Sequence, residues 1–543
     1  MTNKVPPYSP TDYGDTPVAS IGPLVERLRK TAESRIAHDL SWRKSQLNAM
    51  SNMLKVHRED IRSAYFADLG QNEFFADTVE IAEIQSEIKF ALQNLSAWTS
   101  PERVPTPFPT NLLFPVHSEI RAQPRGLALI FVPWNYPLGL ALRPLVGAIA
   151  AGNCVVVKPS EISKNISALL CYLIGKYLDN DAIAVVMGGT PQSPEVLKFR
   201  FDAICFTGST RVGKLVARAA SEHLTPCLLE LGGKSPAIVC SDADVPSAAL
   251  RIAWGKWTMN MGQTCVTPDY VLVVEELKEK FVKELKRVLI EYYGTNPKDS
   301  KDVGRMISKS RTEHVANMLD DATIHRLHGG KTVCLDERYL EPTIVEATPD
   351  SKCMQEEIFG PILPILSVQD VRSAIEYLNA RYSSVGAHPL SLYIFSQSKQ
   401  TQNLILSRVP AGSVAINGTI FQLSNIHLPF GGVGESGMGS YHGKFGFDFF
   451  SHRLPVLNIR NVSSNRLDPG VWMTCPPYTR RKGDAMAAMH AMYAQLDWIR
   501  FVGKWIVAPI LVAVFLFRNP GFLEEVKDFN INKGITILGG WMG

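Results

Sequence analysis

The chain has 543 residues, of which 45% are hydrophobic, so its length predicts two or more domains rather than a single core. Its 56 basic and 52 acidic residues leave a net charge of +4, which is too small a bias to indicate a nucleic-acid-binding protein. Nine cysteines, an odd number with no C-x-x-C pair, argue against a disulfide framework or a zinc site and favour a reducing compartment. Residues 1–23 are polar and contain no apolar core of a secretory signal.

The first part of the chain is predicted to be helical, and the part after Gly126 alternates between strands and helices. Apolar residues recur at helical spacing over residues 21–98, and the proline-rich residues 101–115 interrupt the pattern. From Gly126, short apolar runs predict strands at 127–132, 154–157, 183–187, 203–206 and 227–231, with helices over 138–150, within 163–178 and over 210–221. Such strands are typical of a parallel sheet covered by helices on both faces.

A second series of strands and helices begins near Ser235, with strands predicted near 236–240, 270–274, 362–366, 391–395 and 412–416. Two such series predict two α/β domains. A tail follows from about residue 460. It contains a basic triplet at 480–482, a Met- and Ala-rich stretch that predicts a helix, and an apolar segment.

The apolar segment of the tail has two interpretations. Residues 505–517 are uncharged and almost all large and apolar, with Arg500, Lys504 and Arg518 as flanking cations. A buried terminal helix would explain the segment, because a straight membrane span wants about 20 apolar residues. We favour membrane attachment, because cations and tryptophans border the segment and snorkelling would let it use all of 498–517. A tail anchor and a shallow monotopic insertion both stay open.

Two glycine-containing stretches match patterns that bind phosphate. The stretch 432–437 matches G-x-G-x-x-G, but it does not lie between a predicted strand and a predicted helix, so we do not interpret it as a dinucleotide fingerprint. The stretch 206–213 is better placed, because a predicted strand precedes it and a predicted helix follows it. Its glycines let the backbone approach a phosphate at a helix N-terminus, although Gly-Ser-Thr is also an ordinary helix cap.

Polar residues follow two predicted strands of the first series. Lys158 and Glu161 come after the strand 154–157, at the edge where parallel sheets bind ligands. They could grip sugar hydroxyls or form a surface charge pair. Asn135 follows the strand 127–132 between aromatic and proline residues. Its amide could stabilise an oxyanion, or it could be a turn residue.

One of the nine cysteines, Cys265, differs from the others because polar turn residues rather than an apolar strand surround it. A thiol needs activation by its surroundings. The candidate partners are the carboxyl groups of Glu230 and of the pair 356–357, and carboxylates would raise the thiol pKa rather than lower it. They therefore suit the activation of water that releases an acyl group from sulfur. The pair His325 and His328 is interpreted as surface residues, and no metal site is predicted.

Taken together and in order, these motifs resemble the aldehyde dehydrogenase superfamily over about residues 20–455. The stretch 429–439, with 441–444 and 450–453, is similar to the class 3 branch of that family. The branch includes membrane-bound fatty aldehyde dehydrogenases and fungal relatives that oxidise apocarotenals. One departure is that residues 388–390 are His-Pro-Leu, where class 3 relatives often have Lys-Pro-Leu.

The resemblance implies a role for each candidate residue. Cys265 would be the nucleophile that forms a thiohemiacetal and then a thioester, with Asn135 and the Cys265 backbone N–H at the oxyanion. Glu230 would be the general base for the deacylating water, and Glu357 would hold the nicotinamide ribose and share the base role. The remaining cofactor-binding residues would be Lys158 and Glu161 at the adenosine ribose, Gly208, Ser209 and Gly213 at the pyrophosphate, and Phe359 beside the nicotinamide.

The resemblance also implies the architecture, which is an α/β fold of two parallel-sheet domains with a bridging β-hairpin and a C-terminal membrane-associated tail. The expected segments are a NAD(P)-binding domain at 1–111 and 127–231, a catalytic domain at 232–437, bridging elements at 112–126 and 438–458, and the tail at 459–543. We expect a homodimer on the cytosolic face of an intracellular membrane. The expected cofactor is NAD, because the Glu161 carboxylate would repel a 2′-phosphate, with NADP as an accepted alternative.

The main functional hypothesis is NAD(P)-dependent oxidation of a long apolar aldehyde to its acid. The substrate would be a fatty aldehyde or an apocarotenal of carotenoid biosynthesis. One alternative is a cysteine-dependent, thioesterase-like hydrolase without hydride transfer. Another is a non-catalytic, membrane-tethered scaffold. The complete set of Asn135, Glu230, Cys265 and Glu357 argues against the scaffold, because scaffolding requires none of these residues.

Overall fold

The computed structural model describes residues 12–107, 116–385, 388–459 and 473–502, and it describes the side chains of these ranges apart from 384–385 and 492–502. The chain forms two compact units. The first unit is built from Met1–Ser100 and Ala122–Arg453, and the second from Pro101–Arg121 and Leu454–Gly543.

The helices begin the chain and then alternate with strands. In chain order they are α1 (Val18–Ser34), α2 (Leu40–Val56), α3 (Arg58–Leu69), α4 (Glu73–Phe75), α5 (Ala82–Thr99), α6 (Gly139–Ala151), α7 (Lys164–Tyr177), α8 (Gln192–Val196), α9 (Thr210–Ser221), α10 (Val245–Ala253), α11 (Glu275–Tyr293), α12 (Lys309–Ala316), α13 (Lys352–Gln355), α14 (Val371–Val385), α15 (Lys399–Arg408), α16 (Gly443–Phe449) and α17 (Arg480–Val502). Short π-helical segments, Ala76–Ile81 and Trp254–Thr258, lead into α5 and follow α10.

The strands are β1 (Glu102–Val104), β2 (Val116–Pro124), β3 (Leu127–Phe131), β4 (Cys154–Lys158), β5 (Ile183–Val185), β6 (Ala203–Gly208), β7 (Cys227–Leu231), β8 (Pro236–Val239), β9 (Tyr270–Val274), β10 (His325–His328), β11 (Val333–Cys334), β12 (Tyr339–Leu340), β13 (Thr343–Glu346), β14 (Ile362–Val368), β15 (Ser391–Phe395), β16 (Ser413–Ile416), β17 (Gly437–Met438) and β18 (Ser451–Ile459). Strands β3, β4, β9 and β15 are buried at every position, as expected of parallel strands covered on both faces.

The first large sheet has six strands in the order β17-β7-β6-β3-β4-β5. The pairs from β7 to β5 are parallel, and β17 runs antiparallel to β7 with Gly437 opposite Glu230. The carboxyl ends of β3, β4, β6 and β7 therefore lie at one edge of the sheet. Asn135, Lys158, Ser209 and Glu230 all lie at or just beyond these strand ends.

The second large sheet has seven strands in the order β10-β13-β14-β9-β8-β15-β16. Strand β10 is antiparallel to β13, and the other pairs are parallel. Cys265 lies in the segment that leads from α10 into β9, and β9 is the central strand of this sheet. A separate three-stranded sheet has the order β1-β2-β18, and β1 pairs antiparallel with the middle strand β2. Residues 112–115, which belong to an expected bridging element, lie outside the described residues.

The strands and helices predicted in the two α/β series are present. Helix α9 spans the predicted residues, and Ser209 caps it, because the Ser209 hydroxyl accepts a hydrogen bond from the Val212 N–H at 3.4 Å. Gly152 ends α6 with a φ of 88°, in the left-handed region that favours glycine. The strand predicted at 183–187 is shorter and ends at Val185.

The tail is described only in part. Helix α17 confirms the helix predicted for the Met- and Ala-rich stretch. The apolar run 505–517 lies outside the described residues. Within the described part of the chain, no helix combines the length and the apolar character needed to cross a bilayer.

Candidate active site

The segment before Cys265 has an unusual backbone. Asn260, Met261 and Gly262 have φ values of 53°, 52° and 76°, so three consecutive residues adopt the left-handed region. Non-glycine residues pay about 1–3 kcal/mol each for such a conformation, which persists only where the surroundings impose it. A Cβ on Gly262 would overlap the Gly360 carbonyl oxygen, so glycine is required at this position on steric grounds as well.

Buried amide side chains hold this strained segment in place. The Gln263 amide nitrogen donates to the carbonyl oxygens of Asn260 at 3.2 Å and of Arg305 at 3.0 Å, and its oxygen accepts from the Ile307 N–H at 2.9 Å. The Asn260 side-chain oxygen accepts from the Gln71 amide at 2.9 Å. These bonds connect the loop to two other parts of the fold, the segment 305–307 and Gln71, so the position of Cys265 is set by its neighbours.

Asn135 lies against the Cys265 loop. Its side chain is only 3% exposed, and its amide nitrogen donates to the Gln263 carbonyl oxygen at 3.1 Å. The Asn135 carbonyl oxygen accepts from the Asn260 amide at 2.9 Å. The neighbouring Tyr136 hydroxyl is 2.6 Å from the Thr264 hydroxyl. Strand β3 thereby brings the predicted amide to the residues that immediately precede the predicted nucleophile.

Cys265 is partly exposed and opens onto a cavity of about 650 Å³. Much of the lining is aromatic or aliphatic, including Phe74, Tyr136, Trp254, Tyr293, Phe421 and Phe430. Trp254 and Phe421 stack in parallel with ring centroids 4.7 Å apart. A cavity of this size and character suits an apolar organic molecule.

One wall of the cavity is polar, which sequence reasoning missed. The Glu80 carboxyl is buried, accepts from the Gly139 N–H at 2.6 Å, and has a pKa raised by burial to about 7. Arg143 lies 3.8 Å from Glu83. Burial, and then the charge of Arg143, holds the pKa of His442 well below its ordinary value, so this imidazole is neutral. The sequence did not indicate this polar wall, because Glu80 and Glu83 are the charged positions of an amphipathic helical pattern, and such positions usually face solvent.

Two carboxyl groups lie near the thiol. Glu230 on β7 is 2% exposed, and neither of its carboxyl oxygens has a hydrogen-bond partner among the described residues. Burial raises its pKa well above the ordinary value. Glu357 packs so closely on Gly232 that any side chain there would overlap its carboxyl group, and burial together with Asp269 raises the Glu357 pKa to about 8.

The same carboxyl groups act on the thiol. Burial, then Glu357 and Glu230, raise the pKa of Cys265 well above its ordinary value. Cys265 is therefore a neutral thiol at neutral pH in this state of the protein. Neither carboxyl group lowers the thiol pKa, so neither activates the thiol by stabilising its thiolate.

The residues predicted to hold an adenosine ribose lie at the end of β4. The Lys158 ammonium is buried and donates to the Pro159 carbonyl oxygen at 3.0 Å and to the Gly188 carbonyl oxygen. Burial lowers its pKa, and the Glu161 carboxylate partly opposes this effect. Glu161 itself is exposed, and a Cβ on Gly189 would lie 3.1 Å from its side chain. The end of β4 therefore carries a buried cation, Lys158, and an exposed anion, Glu161, close enough for their charges to interact.

The residues predicted to hold a pyrophosphate lie at the start of α9. Ser209 is the N-cap, Gly208 ends β6, and the first turn of the helix presents its N–H groups. Gly213 has a different role, because a Cβ there would meet the Leu231 side chain at 2.5 Å, so this glycine allows the helix to pack on β7. The stretch 432–437 lies beside α9, with Lys214 2.8 Å from Glu435, but it leads into β17 and is no fingerprint.

The last predictions concern Phe359 and the histidines near residue 325. Phe359 has a φ of 50°, and its ring meets Trp134 edge-on at 5.3 Å, beside the turn that carries Asn135. His325 lies 3.9 Å from Glu346 on the surface. Among the residues with described side chains, no three groups able to bind a metal lie together.

A buried ionic cluster was also missed by sequence reasoning. Lys234 is 2.7 Å from Asp269, and Lys256 is 3.4 Å from the other oxygen of the same carboxylate. The signal in the sequence is weak, because a charged residue that follows an apolar strand usually faces solvent, and its partner lies 35 residues away.

Comparisons with known proteins agree with the geometry. A family model described as "Aldehyde dehydrogenase family" matches residues 22–454. The chain is 43% identical to the "4,4'-diaponeurosporen-aldehyde dehydrogenase" of Staphylococcus aureus, covering 81% of this chain and 93% of the relative. It is 43% identical to rat "Aldehyde dehydrogenase family 3 member A2", covering 82% and 90%. It is 42% identical to mouse "Aldehyde dehydrogenase, dimeric NADP-preferring", covering 83% and 97%.

A solved structure of similar shape is described as "Substrate bound state of Staphylococcus Aureus AldH". It superposes with a TM-score of 0.81 at 39% sequence identity, covering 86% of this chain and 99% of that one. The chain therefore belongs to the aldehyde dehydrogenase family, whose members use NAD(P), and it is an aldehyde dehydrogenase.

Proposed function

We propose that this enzyme oxidises a long apolar aldehyde to its carboxylic acid through a thioester on Cys265. The observation that carries the proposal is that Cys265 lines a large, mainly apolar cavity and that two carboxyl groups, Glu357 and Glu230, act on its thiol. The cavity provides room for an apolar chain beyond the reacting carbon. The carboxyl groups provide a base for the water that must release the acid.

The proposed reaction begins at the thiol. The Cys265 thiol gives its proton to solvent, its sulfur attacks the aldehyde carbon, and the carbonyl oxygen becomes an oxyanion. An amide nitrogen carries two hydrogens, and one hydrogen bond of Asn135 goes to Gln263, so a second N–H can serve the oxyanion together with the Cys265 N–H. When bound, the nicotinamide cofactor supplies the hydride acceptor, and the carbon is left as a thioester.

The thioester is then cleared by water. Glu357 or Glu230 takes a proton from the water as its oxygen bonds to the acyl carbon. The oxyanion of the new tetrahedral intermediate again accepts a hydrogen bond from the Asn135 amide. The carbon–sulfur bond then breaks, and the departing Cys265 thiolate takes up a proton. The pKa of about 8 for Glu357 suits a group that must accept a proton near neutral pH and give it up again.

The cofactor is proposed to lie across the edge of the first sheet. Lys158 and Glu161 would hold the adenosine ribose, Gly208, Ser209 and the start of the Gly213 helix would receive the pyrophosphate, and Glu357 and Phe359 would border the nicotinamide ribose and ring. We propose NAD as the preferred cofactor, because the exposed Glu161 carboxylate would repel a 2′-phosphate. NADP is the alternative, and the mouse relative is named NADP-preferring.

The substrate class is proposed to be a fatty aldehyde or an apocarotenal. The name of the S. aureus relative points to a carotenoid-derived aldehyde for that protein. A membrane-attached tail at 498–517 would place the enzyme where such aldehydes partition. We propose a homodimer on the cytosolic face of an intracellular membrane, and the mouse relative is named dimeric.

The test is NADH formation with straight-chain aldehydes of increasing length in detergent. We expect kcat/KM to rise with chain length by about tenfold for every two methylene groups until the cavity is filled, because each buried methylene contributes roughly 0.8 kcal/mol. Equal efficiency on short and long aldehydes would contradict the long-chain claim.

The same assay tests the nucleophile. Cys265→Ala should abolish turnover while NAD binding persists. Cys334→Ala is the matched control, because Cys334 is also partly exposed but lies outside the cavity lining. Ester cleavage without any NADH formation by the unmodified enzyme would support the hydrolase instead.

A further inference from the structure

Two buried lysines share one aspartate beneath the site. Lys234 follows β7, Lys256 lies in the π-helical segment Trp254–Thr258, and Asp269 precedes β9. The Lys256 side chain is 0% exposed, and those of Lys234 and Asp269 are 5% and 1% exposed. The cluster therefore holds two cations against one anion in the protein interior, which is costly unless the extra charge has a use.

Lys234 has a clear structural task. Its ammonium donates to Asp269 at 2.7 Å and to the carbonyl oxygens of Cys353 at 2.6 Å and Glu356 at 3.1 Å, so all three donors are used. Asp269 also accepts from the Ile358 N–H at 3.2 Å. Lys234 and Asp269 thus hold the peptide groups on both sides of Glu357.

Lys256 has no comparable task. Among the described residues its ammonium has one hydrogen-bond partner, Asp269, at the long distance of 3.4 Å. Asp269 is already neutralised by Lys234. A buried ammonium with unused donors destabilises a fold, and an apolar side chain of the same length would be neutral or favourable. Stability gives no reason for a lysine at this position.

The location of Lys256 suggests its use. A Cβ on Gly262 would lie 3.3 Å from the Lys256 Cε, so the lysine lies directly under the strained loop that leads to Cys265. The charged groups that act on Glu357 are Asp269, Lys234 and Lys256, and Glu357 in turn acts on Arg311. Lys234 and Asp269 neutralise each other, so Lys256 supplies a net positive charge in this buried cluster.

We propose that Lys256 is a positioning residue for deacylation, and that its ammonium supplies the charge that lets Glu357 ionise beside Cys265. The inference rests on the proposed role of Glu357 as a base. Removal of the charge would leave the Glu357 carboxyl group protonated over a wider pH range, and hydrolysis of the thioester would be slower.

The titration of the two groups agrees with this placement. Burial lowers the pKa of Lys256 to about 8, with Asp269 opposing the effect, and the pKa of Glu357 is raised to about 8. The ammonium is therefore present below about pH 8, which is the range in which Glu357 needs help to ionise. Above that range Glu357 ionises without it.

The experiment compares Lys256→Met with the unmodified enzyme, using octanal and NAD from pH 6 to pH 10. At pH 7 the variant should show steady-state turnover lowered by about tenfold, equal to a shift of roughly one pH unit in the acid limb. The two enzymes should converge above about pH 9. Intact-protein mass spectrometry during turnover at pH 7 should show a larger fraction of acylated enzyme in the variant.

Lys234→Met is the matched control, because it removes a buried ammonium from the same carboxylate. It should lower the melting temperature, whereas Lys256→Met should leave it unchanged or raise it. Lys256→Gln provides a second variant if methionine prevents folding. Superimposable pH profiles, or no increase in acylated enzyme, would overturn the role of Lys256. Absence of an acyl adduct in every form of the enzyme, including the unmodified one, would instead contradict the thioester route on which the inference rests.

Discussion

At the scale of single residues, the site contains carboxyl groups whose environment makes the folded state less stable. Glu230 has two carboxyl oxygens without partners among the described residues, and the pKa of Glu357 is raised from 4.5 to about 8. A carboxyl group whose pKa is raised by folding disfavours the folded state increasingly as pH rises from its unfolded value through its folded value. Such residues are retained for chemistry rather than for stability.

Replacement of Glu357 should therefore lower the activity of the enzyme and raise its stability. We expect Glu357→Gln to lower kcat by roughly 10²-fold or more, because the amide cannot accept a proton. Its melting temperature should match that of the unmodified enzyme near pH 5 and exceed it by on the order of a few degrees at pH 9. Differential scanning fluorimetry across this range measures the effect. Glu356→Gln is the control, because this exposed neighbour should change neither property, and an equal stability gain in the control would contradict the explanation.

The same scale shows what the sequence could reveal about the site. Cys265, Asn135 and Glu230 were singled out because each has polar character at a turn or at the end of an apolar strand. The structure places Asn135 beside the Cys265 loop and gives Glu230 an effect on the thiol pKa. Lys256 and the polar wall around Arg143 could not be found in this way. Their significance depends on partners and burial that only the tertiary structure supplies.

At the scale of elements, the loop before Cys265 is the part most constrained by geometry. Three left-handed residues in succession are held by the Gln263 and Asn260 side chains. Such strain is tolerated where it sets the direction of a reactive group. The position of the thiol is therefore sensitive to single changes of backbone preference in this loop.

Gly262→Ala tests this constraint. The added methyl group would overlap the Gly360 carbonyl oxygen, and we expect kcat/KM to fall by at least tenfold as the loop shifts. Gly294→Ala is the matched control, since Gly294 has a φ of 73° but no atom within 4 Å of an added Cβ. This variant should lose only the free energy of unfolding that the unfavourable φ costs, about 1–3 kcal/mol, and should keep its activity. Equal loss of activity in both variants would show that positive φ alone, not the close approach to Gly360, is responsible.

The elements also show which patterns were readable. Strands β3, β4, β9 and β15 were predicted because they are mainly apolar runs, and each is buried at every position. Strands β10 to β13 were not predicted, because they have two to four residues each and lack a long apolar run. The antiparallel addition of β17 to the first sheet depends on a pairing 207 residues apart in sequence, which no local pattern encodes.

At the scale of the whole molecule, the site and the tail are separable. Every candidate site residue lies in the unit built from Met1–Ser100 and Ala122–Arg453. The proposed attachment segment 498–517 lies beyond it. The chemistry should therefore not need the tail, whereas access to membrane-borne aldehyde should.

Deletion of residues 497–543 tests this separation. We expect the shortened enzyme to move from the membrane to the soluble fraction and to oxidise octanal at an unchanged rate, while oxidation of a vesicle-bound long aldehyde falls severalfold. Charge reversal of the basic triplet 480–482 is the control for purely electrostatic attachment, and it should leave the enzyme membrane-bound. An unchanged membrane fraction after the deletion would contradict the anchor.

The acidic surroundings of Cys265 have one more consequence, which concerns what the enzyme does not react with. A thiolate, not a thiol, reacts quickly with peroxides and alkylating agents. Burial, Glu357 and Glu230 keep the resting Cys265 sulfur protonated, so its reaction with oxidants and other electrophiles is slow. The arrangement would protect a catalyst that works among reactive carbonyl compounds, since its reactivity is released only when the site is loaded for turnover.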